Sequence, residues 1–307
     1  MRPASSAAAV SAERVLRQDA APSRLADFRE LTKPGITGFV VVMAVASYLV
    51  ATDGGIEWRV LLGLALGTAL TAGGAGALNQ AVERDADRLM ARTSSRPLPA
   101  GRLGTRAAYV FAGVCVAVGA VVLAATTNAL TTGLSLATVA LYVLVYTPLK
   151  RRTVHNTIVG AIPGALPALG GVTAATGALD ATGLALFGIL YLWQLPHFLA
   201  LAWLYRDDYR AGGFRMMPGE PGGEVWSARI SLASTLLLLV AALLPTGLGA
   251  TGLLYAAGMV IVGGVFTVPA FAFYAGPSED RARRLFLASV VYVPAFFVLV
   301  ALDVLVR

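Results

Sequence analysis

The sequence is poor in the residues that staple or charge a soluble domain. Its one cysteine, Cys115, excludes an intrachain disulfide and, lying within an apolar run, reads as a small buried hydrophobe. Charged residues make up 13% of the chain against 57% hydrophobic, with a mean hydropathy of +0.72, which excludes an ordinary soluble globular protein. Residues 1–30 have no apolar core, so they do not read as a secretory signal peptide. Glu13, Asp19, Asp27 and Glu30 count against a mitochondrial transit peptide, and the Ala-, Ser- and Arg-rich composition is expected to form a disordered cytoplasmic tail. Residues 31–307 then read as a single transmembrane domain.

What is present is a series of apolar runs, at roughly 35–52, 60–80, 104–125, 129–147, 155–174, 181–204, 229–249, 252–274 and 284–305, each able to cross about 30 Å of hydrocarbon. The expected fold is therefore an all-α membrane protein of about nine transmembrane helices. Pro163, Pro167 and several glycines are expected to break the fifth run, while Pro196 and Pro294 fall in the sixth and ninth. Such breakers persist where neighbours or cavity water satisfy the freed backbone groups, which points to a central cavity.

A net charge of +7 suggests nucleic acid at first sight, but the basic residues lie in short loops between the runs and no nucleic-acid partner is expected. With the N-terminus inside, 22 of the 24 Lys and Arg fall on the cytoplasmic side, leaving only Arg59 and Arg307 outside, and this asymmetry sets the expected orientation. Two loops on that side, 81–103 and 205–228, are long and carry adjacent acids, Gly and Pro, as if one site were built from two halves of the chain.

The densest chemistry lies in residues 78–101, LNQAVERDADRLMARTSSRPLPAG. Asn79, Glu83 and Asp87 are spaced four apart, which on a helix confines them to an arc of about 80°. Oxygen ligands converging on one face suit Mg²⁺, which takes a few carboxylates and completes its shell with water and substrate phosphates. Arg88, Arg92, Arg96 and Arg102 follow and are suited to hold those phosphates. Asp85 lies about 200° around the helix from Glu83 and is better placed to orient an arginine. The residues alone thus point to a membrane enzyme acting on a Mg²⁺-diphosphate substrate.

This stretch resembles the first signature of the UbiA superfamily of intramembrane prenyltransferases. Its continuation through Met90, Arg92-Thr93 and Arg96-Pro97-Leu98 is similar to the haem-farnesylating branch. LTKPGI (31–36), YTPLKRRTVHNTIVGAIPGALPALGG (146–171), WQLPHF (193–198) and DYRAGGFRMMP (208–218) extend the resemblance in order to the C-terminus. It implies nine helices around a cavity capped by the two acidic loops. It also implies farnesyl transfer from farnesyl diphosphate to a haem B vinyl group with addition of water, giving haem O. The implied cofactor is Mg²⁺, held by Asn79, Glu83, Asp87 and Asp208. Arg88, Arg92, Arg96, Lys150 and Arg151 are the implied diphosphate contacts, with Tyr146 and Lys150 also catalytic. A cell membrane, the lipid bilayer, and possible contact with a haem A synthase or terminal oxidase machinery complete the expectation.

Two departures bear on the second metal contact. Glu83 stands where Asp is commoner in the superfamily, and Leu204 stands four residues before Asp208 where a further acid is usual. Asp207 is adjacent but about 100° away on a helix, so Asp208 is preferred.

Among the remaining residues, a histidine in a membrane span is costly and often functional, so His197 is a candidate to ligate or hydrogen-bond haem, the alternative being a structural bond across helices. Trp193 is expected as a wall of that haem site, Asn156 as a polar candidate, and His155 as interfacial. Met216 and Met217 read as apolar filler.

The competing readings are a relative that prenylates an aromatic quinone precursor or chlorin, a polytopic secondary transporter, and an assembly scaffold. The transporter reading expects charges near mid-span, whereas these acids cluster at span ends.

Overall fold

The structure, a computed structural model, describes residues 23–52 and 55–306, and among these it is helical without strands. In chain order the helices are α1 (Arg24–Leu31), α2 (Pro34–Val50), α3 (Trp58–Asp87), α4 (Thr105–Thr126) and α5 (Ala129–Ala140). They continue with α6 (Asn156–Thr176), α7 (Ala181–Leu204), α8 (Arg206–Ala211), α9 (Gly223–Ala241), α10 (Leu253–Ala275) and α11 (Glu279–Val306). Among the described residues eight spans, counting α5 through Leu149, are long and apolar enough to cross a membrane, and the α1–α2 pair, bent by 47°, makes nine if it is counted as one span. The protein is thus a multi-pass membrane protein with eight to nine spans against the nine expected.

The helices pack as two groups. In one, α3 lies against α2 and α4, and α5 against α6; in the other, α7, α9, α10 and α11 pack around one another. The groups meet through α6, which contacts both α2 and α7. A Cβ on Gly171 would overlap the Ala44 carbonyl, so glycine there lets α2 and α6 backbones approach closely. The second group is filled by large apolar side chains, among them Trp203, Tyr255, Phe266, Phe273 and Phe296.

Three details differ from expectation. Residues 1–22 of the expected tail lie outside the described residues, but 24–31 are helical: Ser23 caps Ala26 N–H at 3.2 Å, and Asp27 and Leu31 are buried. Secondly, α6 runs unbroken through Pro163 and Pro167. The Gln194 amide of α7 donates to Ala161 O at 3.3 Å and ties α7 to that stretch, while the carbonyls the prolines free are those of Val159 and Pro163. Thirdly, Cys115 is only half-buried.

The irregular helix is instead α5. It passes into a π-helical turn over Leu141–Tyr146 and ends in Thr147–Leu149. Pro148 has no N–H to continue the ladder, and the Thr147 hydroxyl donates to Tyr142 O at 2.8 Å. Single π turns of this kind are frequent at functional sites.

A small cavity of about 40 Å³ lies between α2, α3, α5 and α6, lined by Val40, Leu64, Ala75, Leu134, Val139 and Leu166 among others. Thr71 and Thr138 hydroxyls at its wall bond back to carbonyls of their own helices, so they present little free polarity.

Candidate active site

Helix α3 is the spine of the site. Its 30 residues extend about 45 Å, longer than the hydrocarbon layer is thick, so its last turns can carry charge. One face runs Leu64, Thr68, Ala72 and Ala75 along the cavity and continues one turn later as Asn79, Glu83 and Asp87. Those three are buried, with Asp87 at 0% exposure. The helical spacing read from the sequence is therefore realised, with the polar triplet directly above an apolar chamber.

Each member of the triplet has a cationic or polar partner from a distant segment. Lys150 pairs with Glu83 Oε1 at 2.5 Å, and Arg96 with Asp87 Oδ2 at 2.9 Å. Asn79 accepts from Lys33 Nζ at 2.7 Å and donates to Thr147 Oγ1 at 2.9 Å. Burial alone would pull the Lys150 ammonium below its ordinary value, but the Glu83 carboxylate outweighs it and the pKa is raised. Stability from this pair is therefore complete below the ordinary lysine value of 10.5 and lost only as pH climbs past the raised one. The Lys150 ammonium stays charged through neutral pH.

Of the expected diphosphate contacts, Arg96 and Lys150 are brought to the carboxylates. Arg88 donates to Pro99 O at 3.2 Å and pairs with Asp85 at 3.8 Å, as expected of Asp85. Arg92 lies over the Tyr205 ring at 4.8 Å, and Arg151 over Phe214 at 5.9 Å. Tyr146 stacks on Tyr142 at 5.6 Å, and Lys150 Nζ sits 5.1 Å from the Tyr146 ring centre, so both tyrosines border the cation. Asp208 turns its carboxylate to the loop backbone, accepting from Ala91 N at 3.1 Å and Arg92 N at 3.2 Å. Asp207 is exposed and pairs with Arg210 at 3.2 Å. Among the described residues no three His, Cys, Asp or Glu side chains are grouped so as to hold one metal ion.

The α3 donors nevertheless fit Mg²⁺. Asp87 Oδ1 is buried without a hydrogen-bond partner, a costly state that a cation would relieve. Two carboxylates and an amide on one face leave the remaining positions for water and phosphate oxygens, as Mg²⁺ prefers.

Sequence reasoning assigned no role to Lys33 or Tyr142. Lys33 has φ 49°, the only positive φ at a non-glycine among the described residues, and strained backbone of this kind clusters at functional sites. A lysine directly before proline was the available signal, since proline disfavours the helical conformation in its predecessor. Tyr142 was legible as the first member of the Tyr142, Tyr146, Lys150 series at four-residue spacing.

The second aromatic cluster involves the other group of helices. His197 stacks on Trp193 at 5.0 Å and lies 5.0 Å from Phe286, and Trp193 Nε1 donates to Ser289 O at 2.8 Å. The Ser289 hydroxyl is 2.5 Å from Phe286 O, and a carbonyl can only accept, so the hydroxyl proton points there. Its oxygen must then accept from His197 Nδ1 at 2.8 Å, which leaves the lone pair on Nε2. Asn156 bonds Thr153 O and Arg215 O at 2.7 and 2.8 Å, tying loops together. Met216 packs with Ala86, Met90, Ala202 and Phe214, as filler should.

Comparison with known proteins bears on this geometry. A protohaem IX farnesyltransferase from Salinibacter ruber is 45% identical over 282 residues, covering 90% of this chain and 98% of that protein. One from Opitutus terrae is 41% identical over 279 residues, covering 90% and 93%. Among solved structures, a digeranylgeranylglyceryl phosphate synthase superposes with a TM-score of 0.78 at 15% identity, covering 92% of this chain and 99% of that one. A UbiA homologue from Archaeoglobus fulgidus bound to GPP and Mg²⁺ gives 0.68 at 17% identity, covering 90% and 99%. The sequence profile of the UbiA prenyltransferase family matches residues 40–300, and with the bundle and the polar triplet above its cavity this chain belongs to that family.

Proposed function

We propose that the protein transfers a farnesyl group from farnesyl diphosphate to a vinyl group of haem B, with addition of water, giving haem O. The observation that carries this reading is the single face of α3, where buried carboxylates with an unpartnered Asp87 oxygen stand over an apolar chamber and beside Lys150 and Arg96. The acceptor is supported by the names of the relatives, each a protohaem IX farnesyltransferase.

Asn79, Glu83 and Asp87 would hold Mg²⁺, which when bound supplies charge neutralisation for a diphosphate leaving group. Lys150 and Arg96, balanced by the carboxylates in the free protein, would exchange those partners for diphosphate oxygens. The allylic C–O bond then breaks with its electron pair leaving on diphosphate, and the farnesyl carbon becomes cationic. The chamber walls exclude water from that cation. Tyr142 and Tyr146 offer π faces to cationic charge at its rim. The haem vinyl π pair forms the new C–C bond; water adds to the resulting cation next to the porphyrin and loses a proton. Nε2 of His197, left with its lone pair by Ser289, is suited to the haem iron, and Trp193 forms a wall of that site.

The charge asymmetry of the loops favours a cell membrane with the N-terminus and active site on the cytoplasmic side. Haem O would pass to a haem A synthase or a terminal oxidase.

The test uses purified protein with haem B, farnesyl diphosphate and Mg²⁺, followed by mass spectrometry of the extracted haems. A haem heavier by one farnesyl and one hydroxyl, absent without Mg²⁺, is expected. Unchanged haem beside a prenylated quinone precursor or chlorin would retain the family and remove the acceptor. Failure to prenylate any acceptor by folded protein would remove the enzymatic reading.

A further inference from the structure

Asp208 joins two loops that are remote in sequence. Both of its oxygens accept backbone N–H groups from the loop after α3, Ala91 at 3.1 Å and Arg92 at 3.2 Å. The guanidinium of Arg92 closes the same contact from the other direction, lying over Tyr205 at 4.8 Å and Tyr209 at 5.6 Å. Beneath them Met90 packs with Phe214 and Met216. The strand of chain that follows continues to the third loop, where Arg215 N donates to Lys150 O at 2.7 Å and Asn156 donates to Arg215 O at 2.8 Å. Residues 205–216 therefore form a strap running from the α3 loop to the turn that carries Lys150.

The clasped loop is the one that presents a cation to the site. Thr93 Oγ1 donates to Asp87 O at 2.9 Å, and Arg96 reaches Asp87 Oδ2 at 2.9 Å, only a few residues beyond the amides held by Asp208. Asp208 meanwhile has no acidic company. Leu204 occupies the position one helical turn before it, Asp207 is turned to Arg210, and no three potential ligands gather among the described residues.

We infer that Asp208 is a positioning residue, a latch that holds the Arg96-bearing loop over Asp87, and that it does not ligate the metal. The effect on catalysis rests on the proposed diphosphate chemistry; the latch itself does not.

Trypsin reads the latch directly, because Arg88 and Arg92 are cleavage points within the clasped loop, whereas Arg96 precedes Pro97 and is not cut. In EDTA and without substrate, Asp208→Ala in the full-length protein should raise cleavage there about tenfold, the loss expected for a hydrogen-bonded charge. Asp208→Asn keeps one acceptor oxygen and should fall between the two; it carries the test if the alanine variant does not fold. In the prenyl-transfer assay the maximal rate should drop while the Mg²⁺ concentration for half-maximal rate stays that of the parent. Unchanged cleavage would overturn the latch, and a half-maximal Mg²⁺ concentration raised about tenfold would overturn the exclusion of direct ligation. The EDTA measurement stands even if the acceptor or metal assignment fails.

Discussion

Two sets of buried carboxylates lie at opposite ends of the bundle and are satisfied in different currencies of charge. At the end of α3, Glu83 and Asp87 face Lys150 and Arg96, side chains from other loops, and one Asp87 oxygen has no hydrogen-bond partner. Near the end of α11, Asp303 accepts Gly252 N at 2.8 and 3.0 Å and Tyr255 N at 3.4 Å, capping the start of α10. A Cβ on Gly252 would stand 2.8 Å from that carboxylate, so the backbone there is shaped around it. Backbone amides are fixed donors and cannot be exchanged for a ligand without breaking the helix start. Long cationic side chains can swing from a carboxylate to a phosphate. The amide-bound arrangement is structural and the cation-paired one is available for chemistry. Asp208, bound to amides like Asp303 but nearer the surface, belongs with the structural kind, which is why it reads as a latch.

The comparison is broken most severely at Asp87. Asp87→Asn should lower farnesyl transfer by about 10²–10³-fold, the scale of losing one preorganised electrostatic group, with little loss of thermal stability. Product mass spectrometry and a melting curve on the same sample check both halves. Destabilisation without a specific loss of turnover would make Asp87 another Asp303.

The haem contact comes next in size. Ser289→Ala removes the group that orients His197, and should weaken haem binding by about tenfold and change its Soret absorption, with His197→Ala larger in both. An unaltered spectrum in both variants would assign His197 to helix packing alone.

Asp303→Ala leaves buried amides at Gly252 and Tyr255 without their acceptor and should cost about 1–3 kcal/mol, seen as a lower melting temperature. Turnover per folded molecule should not change, and a loss there would erase the contrast between the two ends. The smallest effect is expected at Gly164→Ala. The new Cβ overlaps Gln194 Oε1, the end of a flexible amide that can shift at a cost of about 1 kcal/mol, readable in the same melting curve.

Much of this was legible before any coordinates. Eight to nine spans among the described residues match the apolar runs, because hydrocarbon thickness sets helix length and the backbone must satisfy itself there. Asn79, Glu83 and Asp87 share a face because helical period alone dictates it. Harder to foresee was which arginines turn inward. Arg88, Arg92 and Arg96 recur at the same spacing, yet α3 ends at Asp87 and the turns beyond it send only Arg96 to the carboxylate. The prolines of α6 misled as well, since each removes only one bond from a helix that α2 and α7 pack against, and the helix runs through both.

The sequence by itself determined the membrane class, the number of crossings and the polar face of α3, since each depends on local length or period. Only the tertiary structure decided that Lys33 reaches Asn79, that Lys150 meets Glu83 and that Ser289 sets the proton on His197. These pairings link residues 46, 67 and 92 positions apart. Contacts of that range are fixed by how helices pack side by side, and neither periodicity nor composition along one segment carries that information.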